Sequence, residues 1–380
     1  MDTGSHLIWV AKKNHNGTTN ITNFYYPNIS SISQKTEEKY YMIYGTGFVL
    51  GYYYYDNIEY IPNKISIIKF GVAEKVYFTV PGVDGIMGLG REYQDEEKSF
   101  ITSLRKSGHI DARAFSIKFK GQFVRGSKGS MFIGIHDDFY KNGTVTCHLN
   151  KGTEISWKAN ITSFGLKNNQ TKIYSKEFEV PFSFDTGTNI FSIPKEYFND
   201  IKNDLNKFDC EIVNEKNKQR YKCKKDGNYP DLQFKINGYI FTIPKEESHF
   251  EKPDDKDYLY SKVITIDNYH SFIMGTAFFF NFHTLFNMDE EELKFYPIKE
   301  GILQFDSPDL SNLSDSQVFP IQSKKLNTVS IVIIVIGCFI FVIVVSLIIY
   351  YVIVKQKKDK EKYISIPVDN SEQRLFKEEE

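Results

Sequence analysis

The chain has 380 residues, enough for two ordinary domains around a sizeable core. Hydrophobic residues make up 41%, and 25 tyrosines with 32 phenylalanines favour a β-rich core over disorder. A formal net charge of -1 removes any overall pull toward an acidic surface, so no nucleic-acid partner is expected.

In chain order, DTGSHLIWV (2–10) reads as a glycine turn running into a short apolar strand. YYMIYGTGFVLGYYYYDNIEY (40–60) reads as a hairpin around Gly45-Thr46-Gly47. Helix signals are few. SFITSLRKSG (99–108) is one, and PKEYFNDIKNDLNKF (194–208), with Pro194 at its start, is another. FSFDTGTNIFSIP (182–194) is a second apolar run around a glycine turn. Many strands with sparse helices predict an all-β, two-lobed fold.

Near the C-terminus, Val329 to Val354 is 26 residues without a charge. That length exceeds the ~30 Å hydrocarbon core of a bilayer, so one transmembrane helix is predicted. Lysines 355, 357, 358, 360 and 362 follow the span, whereas Lys324 and Lys325 precede it. The excess puts the C-terminus in the cytoplasm and the rest in a lumen or outside, a type I orientation. Seven glycosylation sequons fall on that luminal side, at Asn16, Asn20, Asn28, Asn142, Asn160, Asn169 and Asn312. The compartment among endosome or lysosome, secretory pathway and cell surface stays open. Beyond the span, Tyr363-Ile364-Ser365-Ile366 fits a Tyr-x-x-hydrophobic sorting motif for an adaptor; a plain solvated tail is the simpler reading.

Asp-Thr-Gly occurs twice, at Asp2-Thr3-Gly4 and Asp185-Thr186-Gly187. A given tripeptide of this kind is expected by chance roughly 0.1 times in such a length, so two copies carry information. Ile-Met-Gly also occurs twice, at Ile86-Met87-Gly88 and Ile273-Met274-Gly275. The aspartates are 183 residues apart and the final glycines 187, so two landmarks recur in order at a nearly constant offset. That is an internal duplication. Two such turns can bring Asp2 and Asp185 together at the lobe interface. Carboxyls that close hold one proton between them and titrate as a unit. The ionised partner can take a proton from water while the protonated one polarises a carbonyl, which is amide hydrolysis without metal or cofactor. Gly4 and Gly187 allow the tight turn. Thr3 and Thr186 can bond across the axis, and Ser5 and Thr188 can donate to the outer carboxylate oxygens.

With these residues in place, the chain resembles the pepsin and cathepsin D family of aspartic peptidases, from residue 1 to about 306. DTGSHLIWV resembles the first active-site loop and Asp185-Thr186-Gly187-Thr188 the second. DGIMGLG, FIGIHDDFY, ISWKANITSF and FNMDEEELKFYPI follow in the family's order. The resemblance implies a bilobal fold with a cleft between duplicated β lobes, here 1–145 and 146–306. A luminal linker 307–328, the span 329–354 and a tail 355–380 complete the domain plan. It also implies catalysis by Asp2 and Asp185, and a flap formed by Tyr44, Gly45 and Thr46, with Trp9 bonding Tyr44. A Cys210–Cys223 disulfide is implied too, and extended polypeptide substrates with hydrophobic side chains beside the cut.

The chain departs from the family in three places. Thr276 stands where the family has Asp. The cysteine pair usual after the first loop is missing from AKKNHNGTTN. No signal peptide or strand precedes Asp2, which predicts an N-terminally truncated enzyme whose first turn is left without support. Cys147 has no evident luminal partner, and Cys338 lies in the span. Two other readings stay open: a non-catalytic glycosylated surface or binding protein on the same fold, and an inactive truncated form.

Overall fold

A computed structural model describes residues 1–17, 21–61, 64–78, 83–91, 99–120, 128–150, 156–167, 179–252, 254–266 and 272–305. All belong to one compact unit. The unit is mostly β, with few and short helices.

The first sheet runs Gln34–Tyr44, Gly47–Ile61, Lys64–Phe78, Ile8–Gly17, Gly85–Met87. Its first two strands form the hairpin expected around Gly45-Thr46-Gly47, with Tyr44 opposite Gly47. Strand periodicity sorts the first of them. Tyr40, Met42 and Tyr44 face the packed side, whereas Tyr41 and Ile43 are exposed.

Each Asp-Thr-Gly turn feeds the same frame. After the first, Ile8–Gly17 pairs parallel with Lys64–Phe78 and antiparallel with Gly85–Met87. After the second, Phe191–Ser192 pairs parallel with Asp255–Ile266 and antiparallel with Phe272–Met274. The two Ile-Met-Gly segments are therefore the two antiparallel partners. The Asp2 N–H donates to the Met87 carbonyl at 2.9 Å, and the Asp185 N–H to the Met274 carbonyl at 3.0 Å. The duplication read from residue spacing is a duplication of strand pairing.

A five-stranded sheet draws on both halves, in the order Lys128–Ile133, Ala114–Lys120, Phe282–Asn287, Glu292–Pro297, Val145–His148. The boundary at 145/146 thus runs through the strand Val145–His148. Trp157, fully buried, donates its Nε1–H to the Leu89 carbonyl at 2.8 Å and so ties the halves with its polar atom satisfied. The core falls into separate clusters, of which one spans both halves, where Phe115 stacks on Phe286 and Phe184 packs on Phe295.

The helices are short. Phe100–Lys106 is capped by Ser99, whose Oγ accepts from the Thr102 N–H, and it buries Phe100, Ile101 and Leu104. Lys195–Asp204 begins after Pro194, which caps it from outside the first turn, and continues as a 3-10 turn Leu205–Lys207. Among the described residues no helix is long and apolar enough to cross a membrane. The span 329–354, the linker 307–328, the tail 355–380 with Tyr363–Ile366, and Cys338 lie outside the described residues.

Candidate active site

Both Asp-Thr-Gly turns meet, and their threonines lock them. The Thr3 N–H donates to Thr186 Oγ1 at 3.1 Å, and the Thr186 N–H donates to Thr3 Oγ1 at 2.9 Å. The Thr3 hydroxyl donates on to the Phe184 carbonyl at 2.8 Å. The hydroxyl of Thr186 donates to the Met1 carbonyl at 3.3 Å. The first three of these bonds are buried, where leaving a partner unsatisfied costs most.

The turn bearing Asp2 is held, against the expectation that it would lack support. The Asp2 carbonyl accepts from the Leu89 N–H at 2.8 Å, and Asp2 forms a parallel bridge with Gly88. Together with the Met87 bond and the threonine lock, this fixes the turn from the strand downstream and from the other half. The support is non-local.

Each carboxylate is fixed by its own turn. The Gly4 N–H donates to Asp2 Oδ1 at 2.9 Å and the Ser5 hydroxyl to Asp2 Oδ2 at 2.5 Å. The Gly187 N–H donates to Asp185 Oδ1 at 2.7 Å. Thr188 does not repeat the part of Ser5. Its hydroxyl makes no bond to Asp185, and its carbonyl instead accepts from the Thr276 N–H at 2.8 Å. The Thr276 hydroxyl, where the family has Asp, is buried without a hydrogen-bond partner.

The pair is therefore asymmetric. Burial, and then the negative charge of Asp2 beside it, hold the Asp185 carboxyl well above the usual carboxylate range. Asp185 is within hydrogen-bond reach of Asp2. Asp2 takes two donors, from the Gly4 N–H and the Ser5 hydroxyl, whereas Asp185 takes one from its own turn, from the Gly187 N–H. The acid side chains of the two turns thus lie within hydrogen-bond reach of each other, a geometry in which general acid–base chemistry is possible.

The hairpin supplies the wall above. Trp9 Nε1–H donates to the Tyr44 hydroxyl at 3.1 Å, as the resemblance implied. Tyr44 also lies within hydrogen-bond reach of the Ser5 hydroxyl, so a chain of contacts runs Trp9, Tyr44, Ser5, Asp2. Burial pushes the Tyr44 phenol well up, so it is neutral and available to donate. Gly45 and Thr46 are exposed at the turn. Phe78 completes the wall, stacked on Trp9 and packed on Tyr44; its place opposite Gly47 follows from the strand register and was not legible from motifs. An apolar cavity of about 540 Å3 lies on the other side of Trp9, bordered by Ile8, Trp9, Val10, Phe70, Met87 and Phe100, and neither acid lines it.

Elsewhere, the Cys210–Cys223 disulfide is formed between directly paired strands, and Cys147 is a buried free thiol. Asn16, Asn28 and Asn142 are exposed. Asn160 is half-buried, donates to Glu179 at 2.7 Å and accepts from Asn150 at 2.9 Å. Asn20, Asn169 and Asn312 lie outside the described residues. His136, Asp138 and His283 converge within 4.8 Å, a spacing that suits metal ligands. Lys118 and Lys141 both donate to that aspartate, however, so its charge is already taken and the cluster is an ion-pair knot.

A family model for eukaryotic aspartyl proteases matches residues 1–298. Gastricsin of Homo sapiens is 25% identical over 256 residues, covering 64% of this chain and 62% of that protein. Pepsin A of Gallus gallus is 28% identical over 261 residues, covering 64% of each. The chain thus spans less than two thirds of the length of these relatives. With the family match running through both turns and the hairpin, the chain belongs to the eukaryotic aspartyl protease family.

Proposed function

We propose that this chain is an aspartic endopeptidase that hydrolyses peptide bonds of extended polypeptides. The observation that carries the proposal is the asymmetric pair, with Asp2 fixed by Gly4 and Ser5 and the Asp185 carboxyl held well above the usual carboxylate range by burial and by Asp2. An extended peptide lies across the two turns beneath Tyr44, with hydrophobic side chains beside the cut. Asp2 takes a proton from a water molecule as its oxygen attacks the scissile carbonyl carbon. Asp185 gives its proton to the carbonyl oxygen, so a neutral tetrahedral diol forms. Its collapse breaks the C–N bond, with a carboxyl returning a proton to the leaving nitrogen and the pair regaining its single shared proton. The hairpin excludes water while it is closed.

The peptidase unit is anchored as a type I membrane protein through residues 329–354, with its catalytic part luminal or extracellular. The charge-free length and the lysines that follow support this reading. Tyr363–Ile366 is a weaker adaptor motif. The test is peptide cleavage at acid pH by the full chain and by Asp2→Asn and Asp185→Asn. Both variants should lose activity. Retained cleavage in either would refute the mechanism. A chain that neither cleaves nor binds a pepstatin-type inhibitor would be a binding protein on this fold.

A further inference from the structure

The loop from Tyr26 to Ile32 displays three large apolar side chains to solvent. Tyr26 is 41% exposed, Ile29 81% and Ile32 45%. The loop cannot relax by folding them inward, because it is tied down. The Ile29 N–H donates to the Tyr26 carbonyl at 3.1 Å and closes a turn. The Ser30 hydroxyl donates to Asp56 Oδ1 at 2.7 Å, and the Tyr25 hydroxyl to Asp56 Oδ2 at 2.5 Å. Asp56 is buried on the strand Gly47–Ile61 and takes a further bond from the Asn57 N–H at 2.7 Å. These donors hold its carboxyl below the usual range against the opposing effect of burial, so the anchor stays ionised.

A rigid, exposed apolar tip of this kind invites nonspecific association. Between the apolar side chains stands Asn28, exposed, in the sequon Asn28-Ile29-Ser30. The contrast with Asn160 is instructive, since that side chain lies in the strand Lys158–Ile161 with its amide bonded to Glu179 and Asn150. We infer that Asn28 is an N-glycan acceptor and that its sugar covers the apolar tip formed by Tyr26, Ile29 and Ile32. The inference rests on the luminal orientation proposed above. The donor is a lipid-pyrophosphate-linked oligosaccharide. Asn28 Nδ2 forms a bond to the anomeric carbon, the bond from that carbon to the pyrophosphate oxygen breaks, and the amide loses one proton. The glycan hydroxyls then meet water where three apolar side chains otherwise would.

The test expresses the full chain in a eukaryotic secretory host. Glycosidase release in heavy-oxygen water, followed by peptide mass spectrometry, reads occupancy at each sequon. Asn28 is expected to be occupied. Asn28→Gln should lose one glycan and bind an apolar dye about twofold more strongly at equal near-ultraviolet circular dichroism. Adding Ile29→Ser and Ile32→Ser to that variant should bring dye binding back to the wild-type level. Occupancy at Asn142 with a bare Asn28 overturns this inference and leaves the orientation standing. An unchanged dye signal in Asn28→Gln overturns the covering role. A chain with every sequon bare overturns both the orientation and the inference.

Discussion

Gly187 lies against the carboxylate of Asp2, the acid of the other turn: a Cβ built on it would stand 2.4 Å from Asp2 Oδ1. Gly4 mirrors this, with a Cβ meeting Asp185 Cγ at 2.4 Å. Each turn therefore brings bare backbone to the opposite acid, and the two glycines set how near the acids come.

Gly187→Ala forces a methyl group into the space of the Asp2 carboxylate. Backbone on one side and the Ser5 bond on the other leave that carboxylate little room. The expected outcome is a fall in kcat/KM of roughly a hundredfold, the loss that a displacement of about 1 Å brings. Peptide cleavage and pepstatin-type inhibitor binding should fall together while the near-ultraviolet spectrum is kept. An alanine variant with wild-type activity would mean that the acids are not held at the separation described.

The threonine lock gives a stability prediction. Thr3→Val keeps the shape of the side chain but leaves the Phe184 carbonyl and the Thr186 N–H without the Thr3 hydroxyl. Two buried groups losing a partner should destabilise the unit by about 2–4 kcal/mol. Urea unfolding followed by tryptophan fluorescence measures it. A loss under about 0.5 kcal/mol, within the range of a neutral surface change, would show that the lock contributes little.

Tyr44→Phe tests the wall above the acids. It removes the acceptor of the Trp9 indole N–H, whose ring is fully buried. Phe78 still stacks on Trp9, so the hairpin should persist. Cleavage is expected to drop roughly tenfold, equivalent to about 1.4 kcal/mol of lost transition-state stabilisation. Trp9→Phe should resemble it, and the double variant should add little, because the two side chains act through one bond.

The two acids and the hairpin were legible in the sequence because each rests on a local motif that recurs or has a fixed neighbour, whereas the disulfide was implied by the family resemblance alone. Asp2 and Asp185 announced themselves by repetition, and Tyr44 by its place before Gly-Thr-Gly. What held Asp2 was not legible. Its own partners are Met87 and Leu89, and the neighbouring Thr3 bonds Thr186, 183 residues away; hydrogen bonds across such separations leave no periodic trace. Thr188 was misjudged for a related reason. A hydroxyl three residues after an aspartate suggests a donor, but here Thr188 is engaged through its carbonyl by Thr276. The shared five-stranded sheet escaped as well, since Phe282–Asn287 pairs with Ala114–Lys120, and pairing of strands so distant follows from packing rather than from either segment alone.

The last prediction concerns pH and turns on His283. Its ring is fully buried, with Nδ1 2.9 Å from Asp138 Oδ2 and Nε2 2.9 Å from Ser116 Oγ. A neutral ring satisfies both contacts, donating to the carboxylate and accepting from the hydroxyl. Lys118 and Lys141 already donate to Asp138, Asp137 flanks Lys141, and the His136 ring lies 5.1 Å from His283. A second proton on His283 would set two lysines and an imidazolium against one buried carboxylate. Burial, opposed by Asp138, pulls its pKa down to about 4, and burial does the same to His249. An unfolded histidine titrates near pH ~6.5. Between those values the unfolded chain binds more protons, so stability is full above about 6.5 and falls as pH drops toward 4. Asp185 has the opposite sign, because its raised pKa favours the folded state at low pH and that advantage is lost as pH rises through it. Cleavage should therefore fade toward alkaline pH as Asp185 loses its proton, while strong acid unfolds the protein around its histidines. His283→Gln keeps a donor and an acceptor but cannot charge. Comparing urea unfolding at neutral pH and at the acid end of the window, the variant should narrow the wild-type loss by on the order of 1–2 kcal/mol. An unchanged loss would place the acid sensitivity elsewhere, with His249 the next group to replace.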